Sequence, residues 1–223
     1  MIKAILFDLD ETLLDRDASI LAFLAGQYTR FANALASIPF EHYRDRFQLY
    51  DEHGYVAKEI VYGRLVDEFA LAFDPSELVK DFYANSWNPC ILFPGSIELL
   101  QSLRRSGYQL GIITNGSIRT QRPKIEQGGL AQLADMALIS EAEGIRKPDA
   151  AIFLRATEQL GVEPHECVMV GDNPVADIGG ALAVGMKGVW RRGYLPWPAD
   201  LPVQPHLIVK EVAELLAVDW QQL

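Results

Sequence analysis

Two aspartates, Asp8 and Asp10, stand near the start of the stretch KAILFDLDETLLD, residues Lys3 to Asp15. Residues two apart in an extended chain point to the same side. The two carboxylates therefore leave the apolar run Ala4-Phe7 together, with Leu9 turned away. Two like charges about 4 Å apart cost about 4 kcal/mol at an effective dielectric of about 20. Such a pair persists where a cation neutralises it, or where one member is kept protonated as an acid. The plain alternative is a solvated pair in a turn.

Three later segments carry related chemistry. Ile112-Ile113-Thr114-Asn115-Gly116 sets a hydroxyl and then flexible backbone just before a helix, where main-chain N–H groups can bind phosphate. Lys147 precedes a helix opened by Pro148 or Asp149. Cys167-Val168-Met169-Val170-Gly171-Asp172 is another apolar run ending in a carboxylate, with Gly171 allowing a close turn. Asp177 follows on the first turn of a helix begun by Pro174, a place where an aspartate also favours the helix dipole.

These groups need a scaffold that brings distant segments to one edge. Short apolar runs at Ala4-Phe7, Leu110-Thr114, Met136-Ser140, Cys167-Gly171, Gly188-Trp190 and Leu207-Val209 read as strands buried on both faces. Helical patterns at Ser96-Ser106, Ile118-Gln127, Asp149-Leu160, Val175-Val184 and Val212-Leu216 lie between most of them. Gly107, Gly161 and Gly185 follow three of these patterns, where a left-handed cap is wanted. The alternation predicts an α/β fold with a doubly wound parallel sheet, whose strand ends share one edge.

Residues 17–87 break the alternation. Asp17-Ala36 carries apolar residues at helical spacing behind Asp17 as N-cap. Further helical patterns follow at Tyr55-Phe73 and at Ser76-Asn85, after Asp74-Pro75. The expected organisation is a core of residues 1–16 and 88–223 around an α-helical insert of residues 17–87. Lys58 reads as lying on the wet face of its helix. Arg44, Arg46, Arg64, Tyr43 and Tyr62 are candidates for ligand contact, with surface or packing roles the commoner reading; Arg191 and Arg192 could face a cleft entrance, with solvated arginines the commoner reading. The Tyr194-Pro198 run is the one conspicuous apolar patch that looks exposed; packing onto the core edge is its commoner use.

On the shared edge, Asp8, Asp10, Asp172 and Asp177 would converge with Thr114 and Lys147. So many carboxylates beside one lysine lack positive charge. An all-oxygen set of this kind suits a hard divalent cation, Mg²⁺ first, which binds a few carboxylates together with water and substrate phosphate.

The four segments, in this order, resemble the haloacid dehalogenase superfamily of phosphohydrolases, and the resemblance covers nearly the whole chain. Asp8-Leu9-Asp10-Glu11-Thr12 matches the first family motif, Thr114 the second, Lys147 the third, and Gly171-Asp172 with Asp177 the fourth. The insert resembles the family's mobile helical cap, which closes over the leaving group. The resemblance implies Asp8 as the nucleophile, Asp10 as the acid and base, and Thr114 with Lys147 holding phosphoryl oxygens. It implies Mg²⁺ on the Asp8 carboxylate, the Asp10 carbonyl and Asp172, with Asp177 as a further ligand or just behind. Thr12, Asn115 and Gly116 group with the substrate-binding residues. The implied reaction is hydrolysis of a small organic phosphate monoester, in the branch containing pyrimidine 5′-nucleotidases and sugar-phosphate phosphatases. The family's dehalogenases lack the second aspartate, so Asp10 argues for phosphate chemistry. Its phosphonatases need a cap lysine. Phosphomutase relatives share the motifs, which leaves transfer open beside hydrolysis.

The totals agree with a small-molecule enzyme. The 223 residues carry a formal net charge of -10, which disfavours a nucleic-acid polymer or an anionic membrane as partner. Cys90 and Cys167 form no Cys-x-x-Cys pair, and no apolar run is long enough to span a bilayer, so a cytoplasmic location is expected. The sequence gives no oligomeric state.

Overall fold

The run Ala4-Phe7 becomes the central strand of a six-stranded sheet in a computed structural model that describes residues 1–223. The strands are β1 (Ala4–Phe7), β2 (Gln109–Thr114), β3 (Met136–Ile139), β4 (Cys167–Gly171), β5 (Lys187–Arg191) and β6 (Leu207–Val209). They lie in the order β3-β2-β1-β4-β5-β6, and every pairing is parallel. All four β1 side chains are buried, which requires cover on both faces and explains why the run does not alternate. Phe7 stands opposite Ile112 of β2 and Val170 of β4. The residues just beyond Phe7, Thr114 and Gly171 therefore meet at one edge, beside the point where the chain order reverses between β1 and β4.

The chain forms two compact units, Met1–Asp15 with Ile91–Leu223, and Arg16–Cys90. The second unit contains α1 (Arg16–Arg30), α2 (Ala32–Leu35), α3 (Phe40–Asp51), α4 (Lys58–Glu68) and α5 (Pro75–Asn85). Its centre packs Phe23, Leu24, Phe47, Val61, Leu65 and Phe82, with the Phe23 and Phe82 rings edge to face at 5.3 Å. Burying each such side chain contributes about 1.5–3 kcal/mol. Gln27 is fully buried in this core. It accepts from the Tyr43 and Tyr62 hydroxyls at 2.8 and 2.9 Å and donates to the Leu78 carbonyl at 3.2 Å.

Several expectations for this unit need correction. The pattern over 17–36 is not one helix: Phe31 leaves helical geometry (φ -105°, ψ 28°) and packs its ring on Phe73 at 5.6 Å. Asp17 lies inside the first turn of α1, so it is not the N-cap. The helix expected over 55–73 spans only α4, because Ala57 is extended and Ala70 is left-handed at φ 48°. Helix α3 has no counterpart in the sequence reading. Asp74 does cap α5, accepting from the Ser76 N–H at 2.8 Å.

Lys58 is buried, not on a wet face. Its ammonium pairs with Asp51 at 2.5 Å, and Arg16 reaches the other oxygen of the same carboxylate at 2.6 Å. Of the candidates read as surface or packing residues, Tyr43 and Tyr62 are core, Arg46 pairs with Glu68, and Arg64 is exposed.

Around the sheet lie α6 (Ser96–Arg105), α7 (Ile118–Gln127), α8 (Ser140–Glu143), α9 (Ala150–Leu160) and α10 (Gly180–Ala183). The helix expected over 175–184 opens as a wide turn, Pro174–Gly179, capped by Asn173 Oδ1 on the Val175 and Ala176 N–H groups. The segment Val212–Ala217 is a tight 3₁₀ helix. Gly107, Gly161 and Gly185 take φ values of 86°, 66° and 86°, the left-handed caps expected of them. Trp197 packs its ring on Trp190 of β5 at 5.1 Å, which seats that end of the apolar run 194–198 on the core edge, while Tyr194 stays exposed. No helix is long and apolar enough to cross a membrane.

Candidate active site

Asp8 follows β1 directly, its N–H donating to the Val170 carbonyl at 2.9 Å, so the sheet itself fixes where the carboxylate begins. Asp172 follows β4, and its carbonyl accepts from Trp190 Nε1 at 2.9 Å. Asp177 reaches back from the wide turn after Asn173 and accepts from the Asn173 N–H at 2.9 Å. A Cβ at Gly171 would overlap the Asp177 carboxylate, which is why glycine stands there. The result is a buried trio, Asp8, Asp172 and Asp177, whose ligand oxygens lie within 4.8 Å of one another.

Lys147 enters this trio from the loop before α9. Its ammonium is 2.6 Å from Asp8 Oδ1 and 2.6 Å from Asp177 Oδ1, and the residue is 2% exposed. Asn115 aims it: its Nδ2 donates to the Lys147 carbonyl and its Oδ1 accepts from the Lys147 N–H, both at 2.9 Å. Asn115, expected among the substrate contacts, thus has its side chain committed to the Lys147 backbone. Gly116 is similarly occupied, its N–H donating to Ser140 Oγ at 3.0 Å. Thr12 is buried, and its hydroxyl has no hydrogen-bond partner.

Three carboxylates against one ammonium leave two negative charges uncompensated in a dry place. Burial and the neighbouring Asp177 and Asp10 charges push Asp8 up from 3.8 to about 7, against the pull of Lys147. Burial, with Asp8 and Asp177 beside it, pushes Asp172 up to about 9. Burial would lower Lys147, but the Asp177 and Asp8 carboxylates outweigh it and raise the ammonium above its ordinary value. An all-oxygen, doubly negative, buried pocket fits a hard divalent cation such as Mg²⁺.

Asp10 is not in that trio. Its carboxylate is held by Lys124 Nζ at 2.7 and 2.9 Å and by Gln121 Nε2 at 2.8 Å, both from α7. Gln121 Nε2 also donates to the Thr114 hydroxyl at 2.6 Å, which links Thr114 to Asp10. The sequence reading named neither Gln121 nor Lys124, although their three-residue spacing puts both on the face of α7 that carries Ile125. Arg191 is a second omission. Far from solvated, it is 7% exposed, donates to the Glu11 carbonyl at 2.6 Å and stacks on the Phe93 ring at 3.8 Å. Glu11 has φ 57°, so Arg191 anchors the left-handed turn just after Asp10. Arg192 is exposed, as expected.

A family model described as haloacid dehalogenase-like hydrolase matches residues 2–185. The chain belongs to that family. The glyceraldehyde 3-phosphate phosphatase of Pyrococcus furiosus is 31% identical to this hydrolase, over 97% of this chain and 92% of that protein. The pyrimidine 5′-nucleotidase YjjG of Escherichia coli is 30% identical, over 83% and 84% of the two chains. The crystal structure of a HAD phosphatase from Thermococcus onnurineus superimposes with a TM-score of 0.66 at 31% identity, over 96% of each chain. The curated relatives that this hydrolase resembles are thus named as phosphatases and a nucleotidase.

Proposed function

We propose that this hydrolase is a Mg²⁺-dependent phosphatase that cleaves a small organic phosphate monoester through an aspartyl-phosphate on Asp8. The observation that carries the reading is the buried Asp8 carboxylate, paired with Lys147 and set within reach of Asp172 and Asp177. In the first half, an Asp8 oxygen attacks phosphorus, the ester P–O bond breaks, and Asp10 gives its proton to the departing alcohol. In the second half, Asp10 takes a proton from water as the water oxygen attacks phosphorus. The bond from phosphorus to Asp8 then breaks and releases inorganic phosphate.

Thr114 and Lys147 hold phosphoryl oxygens and offset charge as it builds. Asp8, Asp172 and Asp177, with the Asp10 backbone carbonyl, hold Mg²⁺. The ion, when bound, polarises the phosphoryl oxygens and neutralises the carboxylates. The Arg16–Cys90 unit serves as the helical cap. The phosphonatase alternative loses its support, since the Lys58 ammonium is already paired with Asp51. Named relatives act on a triose phosphate and on pyrimidine nucleotides. The substrate proposed here is a monoester of that size.

Phosphate release from an aryl phosphate, with and without Mg²⁺, tests the reading in wild type and Asp8→Asn. Release that needs the metal and disappears in the variant is expected. Undiminished release by Asp8→Asn would remove Asp8 as nucleophile. A panel of sugar phosphates and nucleoside monophosphates then ranks substrates by kcat/KM.

A further inference from the structure

We infer that Gln121 and Lys124 of α7 are positioning residues that set Asp10 against Thr114, so that the proton-handling carboxylate and the phosphoryl-holding hydroxyl move as one unit. The inference rests on the phosphatase reading above and concerns residues to which that reading gives no role. Both side chains are buried, at 2% and 9% exposure, in a helix where a polar residue would ordinarily face solvent.

Their polar atoms converge on one place. Lys124 Nζ meets both Asp10 oxygens and also donates to Gln121 Oε1 at 3.0 Å. Gln121 Nε2 bridges Asp10 Oδ2 at 2.8 Å and Thr114 Oγ1 at 2.6 Å. Each end of the Gln121 amide is thereby used, which fixes the direction in which it can sit.

The backbone makes room for the bridge. Gly116 adopts φ 153°, and a Cβ there would lie 2.8 Å from Gln121 Cγ. Glycine at 116 thus serves the Gln121 side chain, and its N–H is spent on Ser140. Ser117 caps α7 by accepting from the Thr120 N–H at 3.3 Å, and the Ile118 N–H donates to Glu141 at 2.7 Å. The first turn that carries Gln121 is thus tied at its start. Buried hydrogen-bonded chains of this kind hold geometry more tightly than their separate bonds suggest.

Positioning of Asp10 has a kinetic signature that a merely structural role lacks. An alkyl alkoxide leaves poorly without a proton, whereas an aryl oxide leaves with little help. General acid help is worth about 10²–10⁴-fold. In Lys124→Met and in Gln121→Leu, kcat/KM should therefore fall at least about tenfold further on an alkyl phosphate than on an aryl phosphate. Lys124→Arg should recover part of the alkyl activity. The Mg²⁺ concentration giving half-maximal rate should stay near the wild-type value, because these side chains bond to the Asp10 carboxylate, whereas the ion is proposed on the Asp10 backbone carbonyl.

Equal losses on the two substrates, or wild-type rates on both, would overturn the inference. If a variant fails to fold, by circular dichroism, Lys124→Gln and Gln121→Asn carry the same comparison with less change of volume. The two readings fail separately. An active Asp8→Asn enzyme sinks the phosphatase mechanism, while an inactive Asp8→Asn beside an unaffected Lys124→Met sinks only the role of α7.

Discussion

Two buried charge clusters, one in each unit, make opposite use of the same residue types. In the sheet-containing unit, Asp8, Asp172 and Asp177 surround one ammonium, Lys147. In the helical unit, Arg16 and Lys58 flank one carboxylate, Asp51. Both are dry, yet their acids shift in opposite directions. Burial lifts Asp8 and Asp172 far above the usual carboxylate range. At Asp51 burial also works upward, but the Arg16 and Lys58 charges prevail and hold the carboxyl below 3.8. Burial alone does not set the sign; the count of neighbouring opposite charges does. The helical cluster supplies its own counter-charge and is a structural joint. The cluster at the sheet edge is short of positive charge, which the proposed Mg²⁺ would supply.

Substitutions separate the two roles, beginning with the largest expected effect. Asp8→Asn should abolish turnover on every phosphate ester while thermal unfolding without metal stays unchanged or improves, since a crowded like charge is removed. A large loss of stability in that variant would make the two clusters alike. Asp51→Ala should behave in the opposite way. It removes the carboxylate that the two buried cations share, at a cost of about 3–5 kcal/mol, readable by urea unfolding of the helical unit. A change within experimental error would mean that water reaches Arg16 and Lys58.

pH sharpens the contrast. Asp8 and Asp172 have folded values above 3.8, so without metal their contribution to stability is complete below that pH. It drains away as pH rises towards about 7 and then about 9. Mg²⁺ must displace those protons, so the gain in Tm on adding Mg²⁺ should be larger at pH 9 than at pH 6. A gain independent of pH would contradict the assignment. Asp51 is depressed, so its contribution is present above 3.8 and is lost as pH falls through its lower folded value. Acid unfolding followed at Tyr43 and Tyr62 should move to lower pH than in Asp51→Asn. The smallest effect belongs to the surface: Arg46→Ala, which breaks the pair with Glu68, should leave the urea unfolding midpoint almost unchanged.

The sheet and the meeting place of Asp8, Thr114, Lys147 and Asp172 were legible in the sequence because parallel strands are recognisable locally. Once β1, β2 and β4 are placed side by side, the geometry of their ends follows. What escaped were contacts made by helix and loop side chains away from those strand ends. Lys58 looks solvated in its own helix, and only α3, across the left-handed residues Glu52 and His53, supplies Asp51. Helix α3 was itself hard to see, since Tyr43, Phe47 and Asp51 form a narrow buried stripe in a strongly polar segment. Gln121 and Lys124 look like ordinary polar residues of a helix until Asp10, more than a hundred residues earlier, is brought beneath them. Arg191 needed the Glu11 turn and the Phe93 ring to show that it is buried.

The covalent step on Asp8 is the centre of the account, and an acid-quenched single turnover by Asp10→Asn tests it most directly. Without its proton acceptor for water, that variant should release aryl alcohol once per enzyme molecule and retain the phosphoryl group, recovered by peptide mass spectrometry on Asp8. Recovery on a different residue, or free phosphate formed with no labelled enzyme, would contradict it.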